Sequence, residues 1–249
     1  MKIESHPVVS HEQWLEARKE LLRKEKAFTR LRDELSAARR ELPWERVSDA
    51  YRFEGPTGTE TLAQLFAGRS TLVVYHFMFG PGWEEGCDGC SFLADHFDGA
   101  NLHLAHHDVS LVAVSRAPWQ AFQDFKRRMG WQFKWVSSHG CDFNADFGVS
   151  ATPEAIAAGT ARYNYDTSRD PGEEMPGLSV FFRLPSGEVF HTYSTYARGL
   201  DMLVGTYNFL DLLPKGRDED EIMDWVRHHD RYEGAGPRHD CCSAKAGGD

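Results

Sequence analysis

Long apolar runs without polar alternation mark three segments of the chain as buried strands. The first runs from Leu72 to Phe79, the second from Val109 to Ser115 and the third from Phe133 to Ser137. Runs of this kind predict strands that are covered on both faces of a sheet. Helical periodicity occupies the intervals between them. The order strand, helix, strand, helix, strand predicts a parallel sheet with right-handed crossovers.

Further along the chain, two β-rich runs surround a short turn. Leu178–Leu184 and Val189–Tyr193 flank Pro185-Ser186-Gly187, which predicts a β-hairpin. A closing helix is predicted over Leu200–Leu213 by its apolar spacing. The remaining predicted elements are a short strand over Val47–Phe53, helices over Thr59–Gly68, Pro118–Met129 and Pro153–Gly159, a polar connection over Asn101–Asp108, and an irregular loop over Ser138–Pro176.

The N-terminal segment carries one apolar stripe on a long helix. Ser10 and Gln13 match a capping box, and the predicted helix ends before Pro43. Its length would be about eight turns. The stripe either folds back on the domain or forms a dimerisation arm, because a stripe this long needs a partner surface. Large apolar residues recur every seventh position at Trp14, Leu21, Phe28, Leu35 and Leu42.

This pattern divides the chain into three parts. Residues 1–45 form the helical arm, residues 46–231 form the domain that holds the sheet, and residues 232–249 form a tail rich in Gly, Pro and Ser. We expect that tail to be mobile.

Composition and charge narrow the classes of function. A hydrophobic fraction of 41% is enough for a sizeable core, and a net charge of −10 argues against a nucleic-acid or anionic-membrane partner. No stretch approaches the roughly 20 apolar residues of a transmembrane helix, and Met1–Ser10 lacks the apolar core of a signal peptide. The five cysteines then indicate a reducing compartment. We therefore expect a soluble cytoplasmic protein.

Redox chemistry is indicated directly after the first buried strand. Gly80-Pro81-Gly82 ends that strand, and Cys87-Asp88-Gly89-Cys90 opens the next helix. A cysteine at a helix N-terminus faces free N–H groups, which favour the thiolate, and a second cysteine one turn later lies within disulfide reach. This order predicts Cys87 as nucleophile and Cys90 as resolving thiol. Half of a zinc site and two cysteines that merely pack are the alternatives, but no second C-x-x-C or C-x-x-H exists.

Three other side chains are candidate substrate contacts. Arg116 follows the carboxyl end of a predicted parallel strand, where α/β sheets bind ligands. His191 and Tyr193 share one face of the hairpin strand. They would line a pocket for an anionic or aromatic substrate, or they are ordinary half-buried residues of a sheet.

Histidines and the remaining cysteines leave metal binding open. His103, His106 and His107 lie in a polar connection, where adjacent histidines are mostly solvated. Together with Cys87 and Cys90 they would form a copper or zinc site only in a geometry that sequence does not establish. The roles of three further cysteines, which could resolve a disulfide or bind a soft metal, stay open: Cys141, Cys241 and Cys242.

The order of elements resembles the thioredoxin-like superfamily. Within it, Cys87 and Cys90 match the redox pair, and Pro176 matches the proline opposite that pair, which is cis in the family. The resemblance implies an α/β three-layer sandwich, with a mixed sheet made of a parallel βαβ unit and an antiparallel hairpin, and with the long N-terminal helix added. It also implies that Pro176 and Gly177 offer a backbone edge to substrate and that Trp83 covers one side.

Three runs resemble one bacterial thioredoxin-like family more narrowly, the domain of unknown function 899. They are HHDVSLVAVSRAP at His106–Pro118, SVFFRLPSGEVFHTYSTYARGLD at Ser179–Asp201 and LDLLPKGRDE at Leu210–Glu219. The similarity extends over nearly the whole chain. It implies the fold, and the family has no settled activity.

The chain departs from its relatives at the cysteines. Asp88-Gly89 replaces the Gly-Pro of thioredoxin, and Asp88 is expected to raise the pKa of Cys87 relative to a neutral loop. Trp83 stands four residues before Cys87 rather than next to it. The peroxiredoxin motif P-x-x-x-T/S-x-x-C is absent, because Pro81 lies two residues too far from Cys90.

The sequence thus predicts a thiol–disulfide oxidoreductase that reduces or exchanges disulfides or other oxidised sulfur. Its partners would be an oxidised-thiol substrate and a thiol reductant, with a homodimer through the N-terminal helix as a further expectation. No cofactor is required, and no metal is predicted. The alternatives are a copper- or zinc-binding or redox-sensor protein that uses the same cysteines with nearby histidines, a thiol peroxidase-like activity, and a fold kept for binding or assembly.

Overall fold

A computed structural model of the chain describes residues 6–47, 50–166 and 171–234. The predicted tail, with Cys241 and Cys242, lies outside the described residues except for its first three positions. Within the described ranges, no helix combines the length and the apolar character needed to cross a membrane.

The described strands form one mixed sheet of eight strands, in the order β1-β8-β7-β4-β5-β6-β2-β3. The strands are β1 Glu45–Arg46, β2 Arg52–Gly55, β3 Gly58–Thr61, β4 Thr71–His76, β5 Val109–Ser115, β6 Lys134–Ser137, β7 Gly177–Arg183 and β8 Val189–Tyr196. The three central strands β4, β5 and β6 pair in parallel, as predicted. The hairpin β7–β8 adds to β4 in the antiparallel direction.

Helices cover both faces of this sheet. They are α1 His11–Arg40, α2 Leu62–Leu65, α3 Asp88–Ala94, α4 Phe97–His106, α5 Gln123–Arg128, α6 Phe143–Asp146, α7 Pro153–Ala157 and α8 Gly205–Leu210, with 3₁₀ turns over Trp119–Phe122, Ala197–Leu203 and His229–Arg231. One buried core joins the sheet to α3, α4, α5 and α8, and a second joins the opposite face to α2 and α6. The parallel βαβ unit, the antiparallel hairpin and the final helix make the fold thioredoxin-like, as predicted.

Several element boundaries differ from the prediction. The polar stretch from Asn101 to His106 is not a connection but the second half of α4, a helix that begins at the buried Phe97. The closing helix is interrupted at Val204, which is extended and fully buried, so a 3₁₀ turn precedes α8. Residues from Gly58 pair with β2 as a strand before helix α2 begins at Leu62.

Helix α1 stands away from the rest of the described chain. Ser10 and Gln13 form the predicted capping box, yet no residue of the helix is buried. Trp14 is 54% exposed and Phe28 is 67% exposed. The interpretation that the stripe folds back on the domain is therefore wrong for the part of the domain described here. Contact with the domain occurs at the last turn, where the Arg39 guanidinium lies over the ring of Tyr193 at 5.5 Å.

Candidate active site

Both cysteines of the C-x-x-C form hydrogen bonds with the backbone just after β4. The Met78 N–H, two residues beyond the strand, donates to Cys90 Sγ at 3.4 Å. The Met78 carbonyl accepts from the Cys87 N–H at 3.2 Å. Met78, just beyond the buried strand, thus bonds both cysteines at the carboxyl end of β4. Their thiols are free in this structure.

Cys87 is the N-cap of α3, as the sequence predicts. Its Sγ accepts from the Cys90 N–H at 3.5 Å. A hydrogen bond from the Cys90 thiol, followed by the backbone N–H groups of Cys90 and Gly89, lowers the pKa of Cys87 to about 7 against the opposing effect of burial. The negative charge of Asp88 raises the pKa of Cys87, as expected, but its effect is smaller than those of the hydrogen bonds and of burial. The lowered pKa favours the thiolate form of Cys87, which is the nucleophile in disulfide exchange.

Cys90 has the opposite character because it is 2% exposed. Burial first, and then the neighbouring Cys87, raise the pKa of the Cys90 thiol well above its ordinary range. The Tyr75 hydroxyl and the Met78 N–H both donate to Cys90 Sγ and act in the other direction. Cys87 is therefore the more accessible and more readily ionised thiol. Cys90 is a buried thiol with two hydrogen-bond donors, which would stabilise its thiolate.

A cavity of about 240 Å³ opens beside the two thiols. Nearly all of its lining surface is apolar. Cys90 and Tyr75 lie on its inner side, and Arg198 and Asp201 form an ion pair at 3.1 Å that also contributes to the lining. The other lining residues are Cys87, Gly89, Leu93, Pro176, Ala197, Leu200, Val204, Ile222 and Met223.

The segment after α8 supplies one wall of this cavity. Ile222 and Met223 belong to it, and a Cβ on Gly89 would stand 2.8 Å from Met223 Sδ. Farther along, His228 is 2% exposed and its Nε2–H donates to the Gly86 carbonyl at 2.8 Å, while Nδ1 accepts from the Arg128 guanidinium at 2.7 Å. The chain directly before Cys87 is thereby attached to the C-terminal segment.

The proline predicted to face the cysteines does so, with one correction. Pro176 lines the cysteine cavity, but the peptide bond before it is trans, not cis as the resemblance implies. Trans is the isomer that an X–Pro bond prefers by about 0.5–1 kcal/mol. The Pro176 carbonyl accepts from Tyr163 Oη at 2.6 Å, so this acceptor already has a protein donor. Gly177 begins β7 and pairs with His76, where a Cβ would meet Tyr196 and Val149.

Four predicted contacts lie outside the lining of the cysteine cavity. Trp83 is 39% exposed in the turn before the cysteines. Arg116 Nε donates to Glu174 at 2.6 Å and lines a different cavity, with Cys141. His191 and Tyr193 line a cleft between β8 and the base of α1. Their proposed contact with substrate stays a prediction.

His191 also belongs to a buried hydrogen-bond chain. Its Nε2 lies 2.7 Å from Ser194 Oγ, which in turn lies 2.8 Å from Ser179 Oγ. His76 Nε2 lies 2.9 Å from Ser179 Oγ. This chain crosses β8, β7 and β4 and has the structural role of satisfying polar groups inside the sheet.

The described residues do not form a cluster of metal ligands. No group of three or more His, Cys, Asp or Glu side chains there could hold a metal ion. His103 and His106 lie in the last turn of α4, and His107 is its C-cap. Cys241 and Cys242, the other candidate soft ligands, are outside the described residues.

The sequence interpretation missed several residues of the site, among them Tyr75, Ile222, Met223 and His228. Tyr75 was hidden inside an apolar run, where nothing separates a core tyrosine from one beside a thiol. Ile222, Met223 and His228 lie in a segment without helical or strand periodicity. In the sequence, His228 is one histidine among charged residues, and nothing there indicates that it is buried. Its hydrogen-bond partner, the Gly86 carbonyl, is 142 residues away.

Comparison with protein families gives one match over most of the chain. The family described as "Bacterial protein of unknown function (DUF899)" matches residues 3–232. No curated protein matches the chain.

Several solved structures match the chain at low sequence identity. Peroxidoxin BcpB from Mycobacterium tuberculosis is 16% identical, with 66% of this chain and 95% of that chain covered and a TM-score of 0.44. The bacterioferritin comigratory protein of Xanthomonas campestris is 15% identical, with 68% and 96% covered and a TM-score of 0.43. MTB dsbF is 15% identical, with 64% and 95% covered and a TM-score of 0.37.

Proposed function

The chain belongs to the DUF899 family of bacterial proteins, and from the geometry of its cysteine pair we propose that it is a thiol–disulfide oxidoreductase. Cys87 is the nucleophile and Cys90 is the resolving thiol. The observation that carries the proposal is the asymmetry of the pair: Cys87 accepts hydrogen bonds at a helix N-terminus and has a pKa of about 7, whereas Cys90 is buried with a raised pKa. Disulfide exchange needs this division of labour.

The first step breaks the substrate disulfide. The Cys87 thiolate attacks one sulfur of R–S–S–R, forms Cys87–S–S–R and releases the other sulfur as R–S⁻, which takes a proton from solvent. The negative charge on Cys87 is removed, so one of the effects that raise the pKa of Cys90 is removed with it.

The second step releases the remaining product. Cys90 loses its proton, attacks Cys87 Sγ and forms the Cys87–Cys90 disulfide, while the second R–S⁻ leaves and is protonated. The two cysteines have then lost two electrons, and the substrate has gained them as two thiols. A thiol or dithiol reductant returns the protein to the dithiol state, so no organic cofactor is needed.

The cytoplasm is the compartment in which we propose this cycle operates. A reducing thiol pool keeps Cys87 and Cys90 in the dithiol form that attacks oxidised substrates. Cys141, the other described cysteine, is likewise a free thiol.

A redox titration tests the proposal. The protein is equilibrated in defined thiol/disulfide buffers and the state of Cys87 and Cys90 is read by differential alkylation and mass spectrometry. We expect a reversible two-electron couple with a potential in the roughly −270 to −120 mV range of known catalysts. Cysteines that stay reduced throughout would contradict the exchange mechanism.

Two single substitutions separate the roles of the thiols. Cys87→Ser should abolish disulfide reduction, whereas Cys90→Ser should accumulate a mixed disulfide on Cys87 that mass spectrometry detects. Cys141→Ser is the matched control, and we expect it to leave both results unchanged. A Cys87→Ser protein with full activity would refute the assignment. The same panel, given a hydroperoxide in place of a disulfide, measures the peroxidase alternative.

A further inference from the structure

The cavity beside the cysteines is a half-open apolar site with a buried inner wall. Leu93 is 2% exposed, Leu200 6% and Val204 1%, so its deep wall is part of the core. Its volume of about 240 Å³ exceeds that of the roughly 150 Å³ apolar cavity that accommodates benzene and lies below the range of about 300–1,000 Å³ for drug-sized ligands. A short alkyl chain or one aromatic ring therefore matches this space.

Among the described residues that line the cavity, the cationic side chain is Arg198, and it is paired with a carboxylate. The Arg198 guanidinium bonds Asp201, and Asp201 also pairs with Arg217 at 2.9 Å. Asp88, directly after the nucleophile, has a half-exposed side chain. Together with the net charge of −10, this arrangement disfavours substrates that carry carboxylates, such as a glutathione-type disulfide.

The C-terminal segment restricts the size of what can approach. Met223 packs over Gly89, and Ile222 lies at the cavity with 66% of its surface exposed. The segment is fixed at two places: Glu219 accepts from Tyr207 Oη at 2.6 Å and from Trp225 Nε1 at 3.0 Å, and His228 is bonded to Gly86. A wall in this position leaves room for a small molecule rather than for an extended polypeptide.

We propose that the cavity binds the apolar substituent of a small disulfide, so that the preferred oxidised substrate carries short aliphatic or aromatic groups on sulfur. This inference rests on the proposed function, because it names the substrate class of the same thiol pair. The group attached to the sulfur that Cys87 attacks enters the cavity between Leu200, Val204 and Met223. The leaving thiolate then faces solvent.

The test compares substrates that differ only in the substituent. The reduced protein is mixed with a series of symmetrical disulfides, hydroxyethyl, ethyl, propyl and butyl, and with glutathione disulfide and disulfide-bonded insulin. Each second-order rate constant is divided by the rate constant of the same disulfide with a small reference thiol, which removes intrinsic reactivity. We expect the normalised rate to rise about fourfold for each methylene that the cavity buries. Glutathione disulfide and insulin should be slower than the propyl compound.

A pair of near-isosteric substitutions locates the preference. Met223→Gln places a polar group on the cavity wall and should reduce the butyl-to-hydroxyethyl ratio severalfold. Met202→Gln makes the same change at a methionine that is 46% exposed and outside the cavity lining, and it should leave the ratio unchanged. Circular dichroism of both variants shows whether they are folded. If one does not fold, the substrate series with the wild-type protein still tests the proposal.

The outcomes distinguish this inference from the function on which it rests. Equal normalised rates across the series, or a faster reaction with glutathione disulfide or insulin, would overturn the apolar preference while the oxidoreductase stands. If no disulfide reacts and the redox titration finds no reversible couple, the proposed function itself fails.

Discussion

At the scale of single residues, Tyr75 is the side chain that links the core of the sheet to the chemistry. It is 1% exposed, and its hydroxyl lies beside the Cys90 thiol. Burial first, and then the two cysteines, raise the pKa of Tyr75, so its hydroxyl remains protonated and acts as a hydrogen-bond donor. A donor in this position stabilises the Cys90 thiolate that must form before the mixed disulfide is resolved.

Replacing Tyr75 with Phe should therefore slow the second step. Hydrogen bonds to charged groups contribute about 1.5–3 kcal/mol, which corresponds to roughly a ten- to hundredfold slower resolution. The pKa of Cys90 should move upward, so the pH at which resolution is half-maximal should move upward as well. Rapid quenching and mass spectrometry of the Cys87 mixed disulfide measure both quantities.

Tyr207→Phe provides the comparison. Tyr207 is also fully buried, but its hydroxyl donates to Glu219 and not to a thiol. This variant should lose stability without a change in the pH profile of resolution. If both tyrosine variants shifted that profile equally, the effect of Tyr75 would be one of packing alone.

At the scale of elements, the C-terminal segment contributes to the site without forming an α-helix or a strand in its described part. Side-chain contacts keep it in place. Its attachment near Cys87 depends on His228, which bridges the Gly86 carbonyl and the Arg128 guanidinium. Its Nε2 also lies 3.1 Å from Asp88 Oδ1. One buried side chain thus connects α5, the loop before α3 and the last described segment.

His228→Ala should lower the free energy of unfolding by about 1–3 kcal/mol, because the buried Gly86 carbonyl loses its hydrogen bond and the Arg128 guanidinium loses one of its acceptors. The loosened segment should also expose Cys90, so alkylation of Cys90 should become faster. Chemical denaturation and timed alkylation measure the two effects. His229→Ala is the adjacent control: His229 is partly exposed and contacts Asp95, so its loss should have a smaller effect on both. Equal effects from the two variants would contradict the bridging role.

Much of this organisation follows from the sequence, and the reason is local. Strands β4 and β5 are largely buried on both faces, so most of their residues are apolar, and the C-x-x-C lies at the start of α3. No comparable sequence pattern predicts the cavity wall formed by Ile222 and Met223. Its position depends on long-range contacts such as Glu219 with Tyr207, which no periodicity in the segment predicts.

At the scale of the whole molecule, helix α1 leaves an apolar surface without a described partner. The helix is about 45 Å long, and its stripe repeats every seventh residue, which is the spacing of a coiled-coil seam. If the stripe of one chain packs on the stripe of a second, the buried area is on the order of 1,000 Å², the scale of a specific interface. We therefore expect a twofold dimer through α1.

Sedimentation or light scattering at several protein concentrations tests this expectation. The wild-type chain should have the mass of a dimer, and Phe28→Lys should shift it towards the monomer because a charge enters the centre of the seam. Asp33→Lys introduces the same side chain on the opposite face of α1 and should remain dimeric. A monomeric wild-type chain, or a dimer that Phe28→Lys does not weaken, would contradict association through this stripe.

The two edges of the sheet have a consequence for how copies of this protein meet. Strand β1 is two residues long, and both of its residues, Glu45 and Arg46, are charged and exposed. Strand β3, at the other edge, has four residues and begins at Gly58. Neither edge offers the long, flat, apolar template on which strands of neighbouring chains stack into cross-β aggregates. A concentrated solution of this protein should therefore lack fibrils, and association between copies should be confined to the apolar stripe of α1.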